Sequence, residues 1–168
     1  MVTMMMLMFA LTAADSPERH VRATEPRLLT LIEAGLAHSN TFRRLIDTLN
    51  ASDVIVYIEP KLTRQALRGY LAHHIVATGG RRYLHIAIQT QGSERHLISL
   101  LAHELQHAVE VSQYPDVHDA RGLEQLFSRL ALQFGCDSFT CFETQAARDV
   151  ETIVGKEFVQ KPSASLLK

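Results

Sequence analysis

Two histidines and a glutamate within five residues have the types and spacing of a metal site. The stretch His103-Glu104-Leu105-Gln106-His107 has the pattern HExxH. Positions four apart lie on nearly the same face of an α-helix, so both imidazoles would reach one tetrahedral ion with the carboxylate beside it. Zinc lowers the pKa of a bound water to about 7, and a neighbouring carboxylate can take its proton. The pattern predicts a zinc hydrolase site, with His103 and His107 as ligands and Glu104 as general base.

The motif is expected on a long helix. Ser93 is a suitable N-cap, and apolar residues recur at helical spacing from there to about Gln113. The motif then lies on a largely apolar face, where two histidines and a glutamate would be costly to bury without a metal. The alternative interpretation is a solvated polar stripe on a helix that binds no metal.

A catalytic zinc usually has three protein ligands, so a third must be found. The short pattern HExxHxxGxxH is absent, because Glu110 and Gln113 stand where it has glycine and histidine. The third ligand must therefore come from another element. Glu143, at the start of the last strong predicted helix, is the first candidate, and Glu124 on the preceding helix is the alternative.

Further carboxylates and donors could support the site. Glu110 lies seven residues after His103 and hence on the same helical face, where it either orients a ligand by a hydrogen bond or is merely solvated. Asp149 could also orient a ligand, although an exposed helical charge is the preferred interpretation. Stabilising an oxyanion needs a donor, and the sequence does not select among Tyr114, His118 and Arg148.

The remaining histidines and a pair of arginines are given simpler interpretations. His73 and His74 would point to opposite faces of an extended segment, so they could not easily share one ion. His85 and His96 are expected at or near the surface, and Arg81-Arg82 is expected to be a solvated pair.

The elements that must position the motif follow from hydrophobic spacing. Helical periodicity predicts two helices before the motif and two after it, at 26–37, 41–49, 123–134 and 142–158. Extended patterns predict a small sheet of three strands, at 54–58, 67–76 and 83–88. Gly79-Gly80 is expected to form a turn. The order of elements therefore predicts an α+β fold: two helices, a small sheet and three helices, including the one that carries the motif.

The motif and a later segment carry a resemblance to a known family. The stretch from His103 to Glu110, followed by Phe142-Glu143-Thr144-Gln145-Ala146-Ala147, resembles the gluzincin arrangement of HExxH zinc metallopeptidases, in which a downstream glutamate completes the site. The stretch 54–147 is similar to a group of small bacterial proteins with a HELQH helix and a later E-T-x-A-A segment. The sequence departs from many gluzincins at Ala147, where they place an aspartate that supports a histidine ligand.

The resemblance implies a zincin-like fold and a zinc metallopeptidase that acts on peptides or proteins. It also implies that the strand before the active-site helix, at 83–88, forms a sheet edge along which an extended substrate docks by main-chain hydrogen bonds. Residues 15–160 are then one zincin-like metallohydrolase domain. Two alternatives stay open: a zincin-like domain that binds a peptide or partner with structural zinc but is weakly active or inactive, and a metal-free interaction domain.

Composition bounds the other functional classes. With 168 residues, 46% of them hydrophobic, the chain fits one globular domain, and its net charge of −1 gives no basic surface for nucleic acid. Residues 1–14 are expected to be a signal peptide or an apolar leader, too short to span a membrane comfortably, which favours export to the periplasm or outside the cell over a cytoplasmic location. Cys136 and Cys141 form a disulfide in an exported chain or remain reduced thiols in a cytosolic one. The tail at 161–168 is expected to be disordered.

Overall fold

The computed structural model describes residues 19–61, 68–130, 132–136 and 139–159, with only the backbone for 132–136 and 139–141. The predicted leader, at 1–14, and the predicted tail, at 161–168, lie outside the described residues. Five helices and seven strands occur in the described part of the chain, so the predicted α+β class is confirmed.

The helices begin and end close to the predicted positions over most of the chain. Ser39 and Ser93 are N-caps whose side chains accept from the amides of Phe42 and His96, respectively. Such caps satisfy amides that have no partner within the helix. The helices are α1 (Pro26–His38), α2 (Asn40–Asn50), α3 (Glu94–Ser112), α4 (Ala120–Leu130) and α5 (Gln145–Val159). Helix α3 carries the HExxH motif.

The main sheet has five strands where three were predicted. Its strands are β1 (Val21–Ala23), β2 (Val54–Pro60), β3 (Gly69–Leu71), β4 (Val76–Thr78) and β5 (Arg81–Ile88). Strands β1, β2 and β5 are parallel, whereas β3 and β4 pair antiparallel with β5. The count was wrong because β1 is only three residues long and the predicted strand at 67–76 contains parts of two separate strands.

Strand β5 lies inside the sheet, so the predicted docking edge at 83–88 is wrong. The order is β1-β2-β5-β3, with β4 also paired to β5. Main-chain groups of β5 therefore bond to neighbours on both sides, and cannot take up an extended peptide along the strand. Among the described strands, β3 and β4 flank β5 on the side away from β2.

One face of the sheet packs against the helices. Alternate residues of β5 are buried, whereas Tyr83, His85 and Ala87 between them are half-exposed. Helix α3 contacts β2, β3 and β5 from the buried side and packs against α5 on its other flank. Gly155 permits that second contact, because a Cβ there would lie 3.1 Å from Oγ of Ser99. Helix α3 is thus held between the sheet and α5.

Arg82 is buried, so the expectation of a solvated Arg81-Arg82 pair is wrong for this residue. Its side chain is on the same face as Leu84 and is only 1% exposed. The guanidinium donates to both carboxylate oxygens of Asp53 at 2.7 Å and to main-chain carbonyls at the end of α3. A cation at a helix C-terminus also interacts favourably with the helix dipole. Arg82 therefore fixes the end of α3 to the sheet.

The C-terminal third differs from prediction by a two-stranded sheet. The predicted helix at 123–134 ends at Leu130, and β6 (Leu132–Cys136) pairs antiparallel with β7 (Phe139–Glu143). The predicted helix at 142–158 therefore begins only at Gln145. The helical spacing of apolar residues continues to Phe134, but the buried residues of α4 end at Phe127, and pairing with β7 satisfies the main chain of 132–136 instead. The side chains of Cys136 and Cys141 lie outside the description, so their disulfide stays a prediction.

Membrane association through a spanning helix was not expected. Of the helices in the described residues, none combines the length and the apolar character that crossing a bilayer requires.

Candidate metal centre

Helix α3 brings His103 and His107 together as the motif predicts. The two side chains are one helical turn apart, and their ring centroids lie 5.0 Å from each other. Both residues are buried, at 5% and 4% exposure. Buried imidazoles need partners for their ring nitrogens, so the surrounding polar groups decide what the pair can do.

Glu143 joins the two histidines from a distant part of the sequence. It is the last residue of β7, separated from α5 by Thr144, and its Oε1 atom lies 3.2 Å from Nε2 of His103. One potential ligand atom from each of His103, His107 and Glu143 lies within 4.8 Å of the other two. Two imidazoles and one carboxylate could therefore hold a metal ion at this point.

The second ring nitrogen of His107 has its own carboxylate. Nδ1 lies 3.0 Å from Oε2 of the buried Glu110, and the other oxygen of Glu110 accepts a 2.7 Å hydrogen bond from the hydroxyl of Thr144. The Thr144 hydroxyl also accepts from the amide of Ala147 in the first turn of α5. Glu110 thus contacts a candidate ligand histidine, as one of its two predicted interpretations requires, and leaves Nε2 of His107 available.

His103 has an equivalent carboxylate that sequence reasoning missed. Oε2 of Glu151 lies 3.2 Å from Nδ1 of His103, at ion-pair distance but without hydrogen-bond geometry. Glu151 is on α5, one helical turn after the buried Ala147, and its side chain reaches His103 from that helix. No spacing in the sequence singled out this residue, because the contact depends on how α5 packs against α3.

The carboxylates on both sides of His103 change its protonation. Burial lowers the pKa of His103, but contacts with Glu143 and Glu151 raise it by more, to about 10. The same interactions hold the pKa of Glu151 below its usual range, and they do so for Glu143 in spite of its burial. At neutral pH, the centre without a metal therefore keeps a proton on His103.

The side chain of Glu104 extends from α3 toward β3. It is 4% exposed, and it accepts a hydrogen bond from the main-chain amide of Leu71. Burial raises the pKa of this carboxyl, although the two motif histidines oppose the shift. A Cβ on Gly69 would lie 3.0 Å from Oε1 of Glu104, so the glycine lets β3 approach closely. Strand β3 therefore forms the wall beside the proposed base.

Aromatic rings lead from the histidines to the surface. Phe127 meets the His107 ring edge-on at 5.3 Å, Phe142 stacks on Phe127 at 5.9 Å, and His73 stacks on Phe142 at 5.6 Å. His73 and His74 are both exposed and lie between β3 and β4. The row of rings therefore connects the buried His107 to the exposed His73.

The other predicted candidates lie apart from this group or at its margin. Glu124 is exposed on the outer face of α4, and the exposed Asp149 accepts a hydrogen bond from Gln145. Tyr114 and His118 lie beyond the C-terminal end of α3. Of the three proposed oxyanion donors, only Arg148 is seen to contact a candidate ligand, donating to Oε2 of Glu143 at 3.2 Å. The geometry selects Glu143 over Glu124.

Comparison of the chain with protein-family models, with curated proteins and with solved structures finds no match. The resemblance to gluzincins and the zincin-like fold therefore stay predictions, and the chemistry rests on the residues themselves.

Proposed function

We propose that this protein is a zinc-dependent hydrolase of the metallopeptidase type, with a zincin-like fold. His103, His107 and Glu143 are the proposed zinc ligands, and Glu104 is the proposed general base. The observation that carries the proposal is the convergence of Glu143 on two buried histidines that precede it by 36 and 40 residues. An accidental HExxH pattern gives no reason for such convergence.

The donor set fits zinc. Imidazole nitrogens and a carboxylate oxygen are usual zinc ligands, and three protein ligands leave a fourth position open for a reactant. Each ligand histidine also has a carboxylate near its other ring nitrogen, which is how metal-binding histidines are commonly oriented. Four carboxylates surround the two imidazoles: those of Glu104, Glu110, Glu143 and Glu151. A divalent cation would offset this excess of negative charge.

Zinc, when bound there, would acidify a water molecule and polarise a carbonyl oxygen. Glu104 would accept the proton of the attacking water and pass it to the leaving amine, because its buried carboxyl already has a raised pKa. Arg148 holds Glu143 from the side opposite His103 and limits rotation of its carboxylate. Peptide hydrolysis then needs only water as co-reactant.

Metal analysis of matched variants tests the ligand assignment. We expect one zinc per chain in wild type and in Glu124→Gln, and loss of bound zinc in His107→Ala and Glu143→Gln. Glu124 is the matched control because it is an exposed glutamate and the alternative ligand. Loss of zinc from Glu124→Gln with retention in Glu143→Gln would reverse the assignment, and zinc-free wild type would remove the metal proposal.

Peptide cleavage by Glu104→Gln tests catalysis separately. We expect this variant to retain zinc and to cleave a mixed peptide library about 10²- to 10⁴-fold more slowly, the usual contribution of a general base. Product formation is measured by mass spectrometry beside wild type and Glu124→Gln. Equal rates in wild type and Glu104→Gln would contradict the base assignment. Zinc binding without cleavage in any protein would favour a peptide-binding domain with structural zinc.

A further inference from the structure

His96 extends the row of polar residues on α3 away from the metal centre. It precedes His103 by seven residues, and two helical turns return a side chain to nearly the same face. Seven residues correspond to about 10 Å along the helix axis. His96 therefore lies on the same face of α3 as the candidate ligands, toward the N-terminal end of the helix.

Arg68 is held above His96 by two sets of contacts. Its Nη1 atom lies 3.2 Å from Nε2 of His96, and the side-chain amide of Gln89 lies 3.4 Å from the same nitrogen. The main-chain carbonyl of Arg68 accepts a 2.8 Å hydrogen bond from the amide of Gln89. The backbone and one guanidinium nitrogen are therefore fixed, while the side chain remains exposed to solvent.

The position of Arg68 along β3 connects it to the proposed base. It directly precedes Gly69, which adjoins Glu104, and Leu71 at the other end of β3 donates to the same carboxylate. Strand β3 thus runs beside the metal centre and has Arg68 at its N-terminal end. A peptide lying antiparallel to β3 would point its own C-terminus toward Arg68.

The charge on Arg68 is not offset by a close carboxylate among the described side chains. Glu94 is in the first turn of α3, and Glu151 interacts electrostatically with His96 but is already in contact with His103. Exposed guanidinium nitrogens are suited to carboxylates, which they bind through two parallel hydrogen bonds. An anion can therefore bind Arg68 without breaking an ion pair.

We propose that Arg68, positioned by His96, binds the C-terminal carboxylate of a peptide substrate, so that the enzyme removes short peptides from C-termini. This inference rests on the proposed function. An extended peptide advances about 3.4 Å per residue, so the rise of about 10 Å along α3 from His103 to His96, which contacts Arg68, corresponds to about three residues. Water adds its hydroxyl to the carbonyl carbon and its proton to the leaving nitrogen as the C–N bond breaks. Di- and tripeptides are the expected products.

Matched peptide libraries test the substrate class. One library carries free C-terminal acids and the other carries C-terminal amides of the same sequences. Zinc-loaded wild type is expected to cleave the acids two or three residues from their C-termini, with kcat/KM about 10- to 100-fold above the amides, since one charge-assisted contact is lost. Equal cleavage of both libraries would overturn the inference and leave the hydrolase proposal intact. Cleavage only of amides with Asp or Glu near the cut would assign Arg68 to a side chain instead.

Variants of the arginine test its role directly. Arg68→Gln is expected to cleave acids and amides at the same low rate, whereas Arg68→Lys, which keeps the charge without the planar fork, should be intermediate. Arg43→Gln is the control, because Arg43 is an exposed arginine on α2 with one main-chain hydrogen bond. It should retain the preference for acids. An unchanged preference in Arg68→Gln would overturn the assignment.

A binding measurement separates this inference from the hydrolase proposal. Calorimetry of zinc-loaded Glu104→Gln with both libraries requires no turnover, and acids are expected to bind about 10-fold or more tightly than amides. If no protein cleaves any peptide, the proposed function fails, but tighter acid binding that is lost in the Arg68→Gln, Glu104→Gln double variant would still support the carboxylate site. Equal binding of the two libraries, or no binding of either, would overturn it.

Discussion

Helix α3 contacts two polar clusters, which differ in how their charges are balanced. At its C-terminal end, Arg82 donates to both oxygens of Asp53 and to carbonyls of Val111, Tyr114 and Val117. In its middle, the two motif histidines are surrounded by four carboxylates, one of which contacts the half-exposed Arg148. The first cluster pairs each donor with an acceptor, whereas the second has more acceptors than donors.

The difference separates the proposed metal site from a structural cluster on the same helix. The Arg82 cluster is closed, because its guanidinium donors are used within the protein and an added ion would meet no free ligand. In the histidine cluster, negative charge is offset by Arg148 and by a proton on His103, whose pKa is raised to about 10 in spite of burial. A cation that replaces this proton would bind to groups already assembled, which is what a metal site requires.

Removing the arginine from the closed cluster should have the largest effect on stability. Arg82→Met leaves Asp53 and the carbonyls that end α3 without their donor, and breaking a buried charged network by removing one member costs about 3–5 kcal/mol. Urea unfolding measures this loss. Because the cluster is structural, the variant should still bind one zinc per chain under conditions in which it is folded.

The control for that prediction is the adjacent arginine. Arg81 is half-exposed and donates to the main-chain carbonyl of Ser52, so Arg81→Met should change the free energy of unfolding by less than about 0.5 kcal/mol. Similar losses in the two variants would show that Arg82 is not specially placed. Loss of zinc from folded Arg82→Met would show that the two clusters depend on each other.

Much of the fold could be predicted, and the errors have identifiable causes. Caps and periodicity placed α3 to within about one residue at either end, because a long amphipathic helix depends on local sequence. The alternation of β5 also places Arg82 on the buried face with Leu84. The prediction that Arg82 is solvated followed its charge and overlooked this alternation. Gly79 and Gly80 have φ of 59° and 72° and join β4 to β5 in a hairpin. Because the glycine pair predicts such a hairpin, the sequence could have shown that β5 has a neighbour on this side and is not a sheet edge.

Weakening the histidine cluster should affect metal affinity more than stability. Glu151→Gln removes the charge beside Nδ1 of His103, and loss of such a partner typically lowers metal affinity about 10- to 100-fold. Competition with a zinc chelator measures the change. Asp149→Asn is the matched control on the same helix, since Asp149 accepts only from Gln145 among the contacts seen. Weaker zinc binding by Asp149→Asn than by Glu151→Gln would contradict this prediction and support the alternative interpretation that Asp149 orients a ligand.

The candidate site was predictable only where its geometry is local. His103, Glu104 and His107 follow from helical spacing, and Glu110 follows from the same face of the same helix. Glu151 depends on how α5 packs against α3, which Gly155 permits by its lack of a side chain, and no spacing within the motif encodes that contact. The position of Glu143 likewise depends on the pairing of β6 with β7, a contact that the predicted helix at 123–134 would have prevented.

The smallest expected effect concerns the carboxylate of the closed cluster and its response to pH. Hydrogen bonds from Arg82 hold the pKa of Asp53 below its usual value, so the pair stabilises the fold fully above the unfolded pKa of about 4. That contribution is lost as the pH falls through the lower, folded pKa. Because the Asp53 side chain is 38% exposed, Asp53→Asn should cost only about 0.5–1 kcal/mol at pH 7.

Urea unfolding across pH, with the exposed Asp47→Asn as control, distinguishes a charge effect from a packing effect. The stability difference between wild type and Asp53→Asn should be constant above about pH 5 and shrink toward zero once wild-type Asp53 is protonated. A difference that persists at the lowest pH would mean that shape, not charge, holds Asp53 against Arg82. The closed cluster would then be a packing feature, and its comparison with the histidine cluster could no longer rest on charge balance.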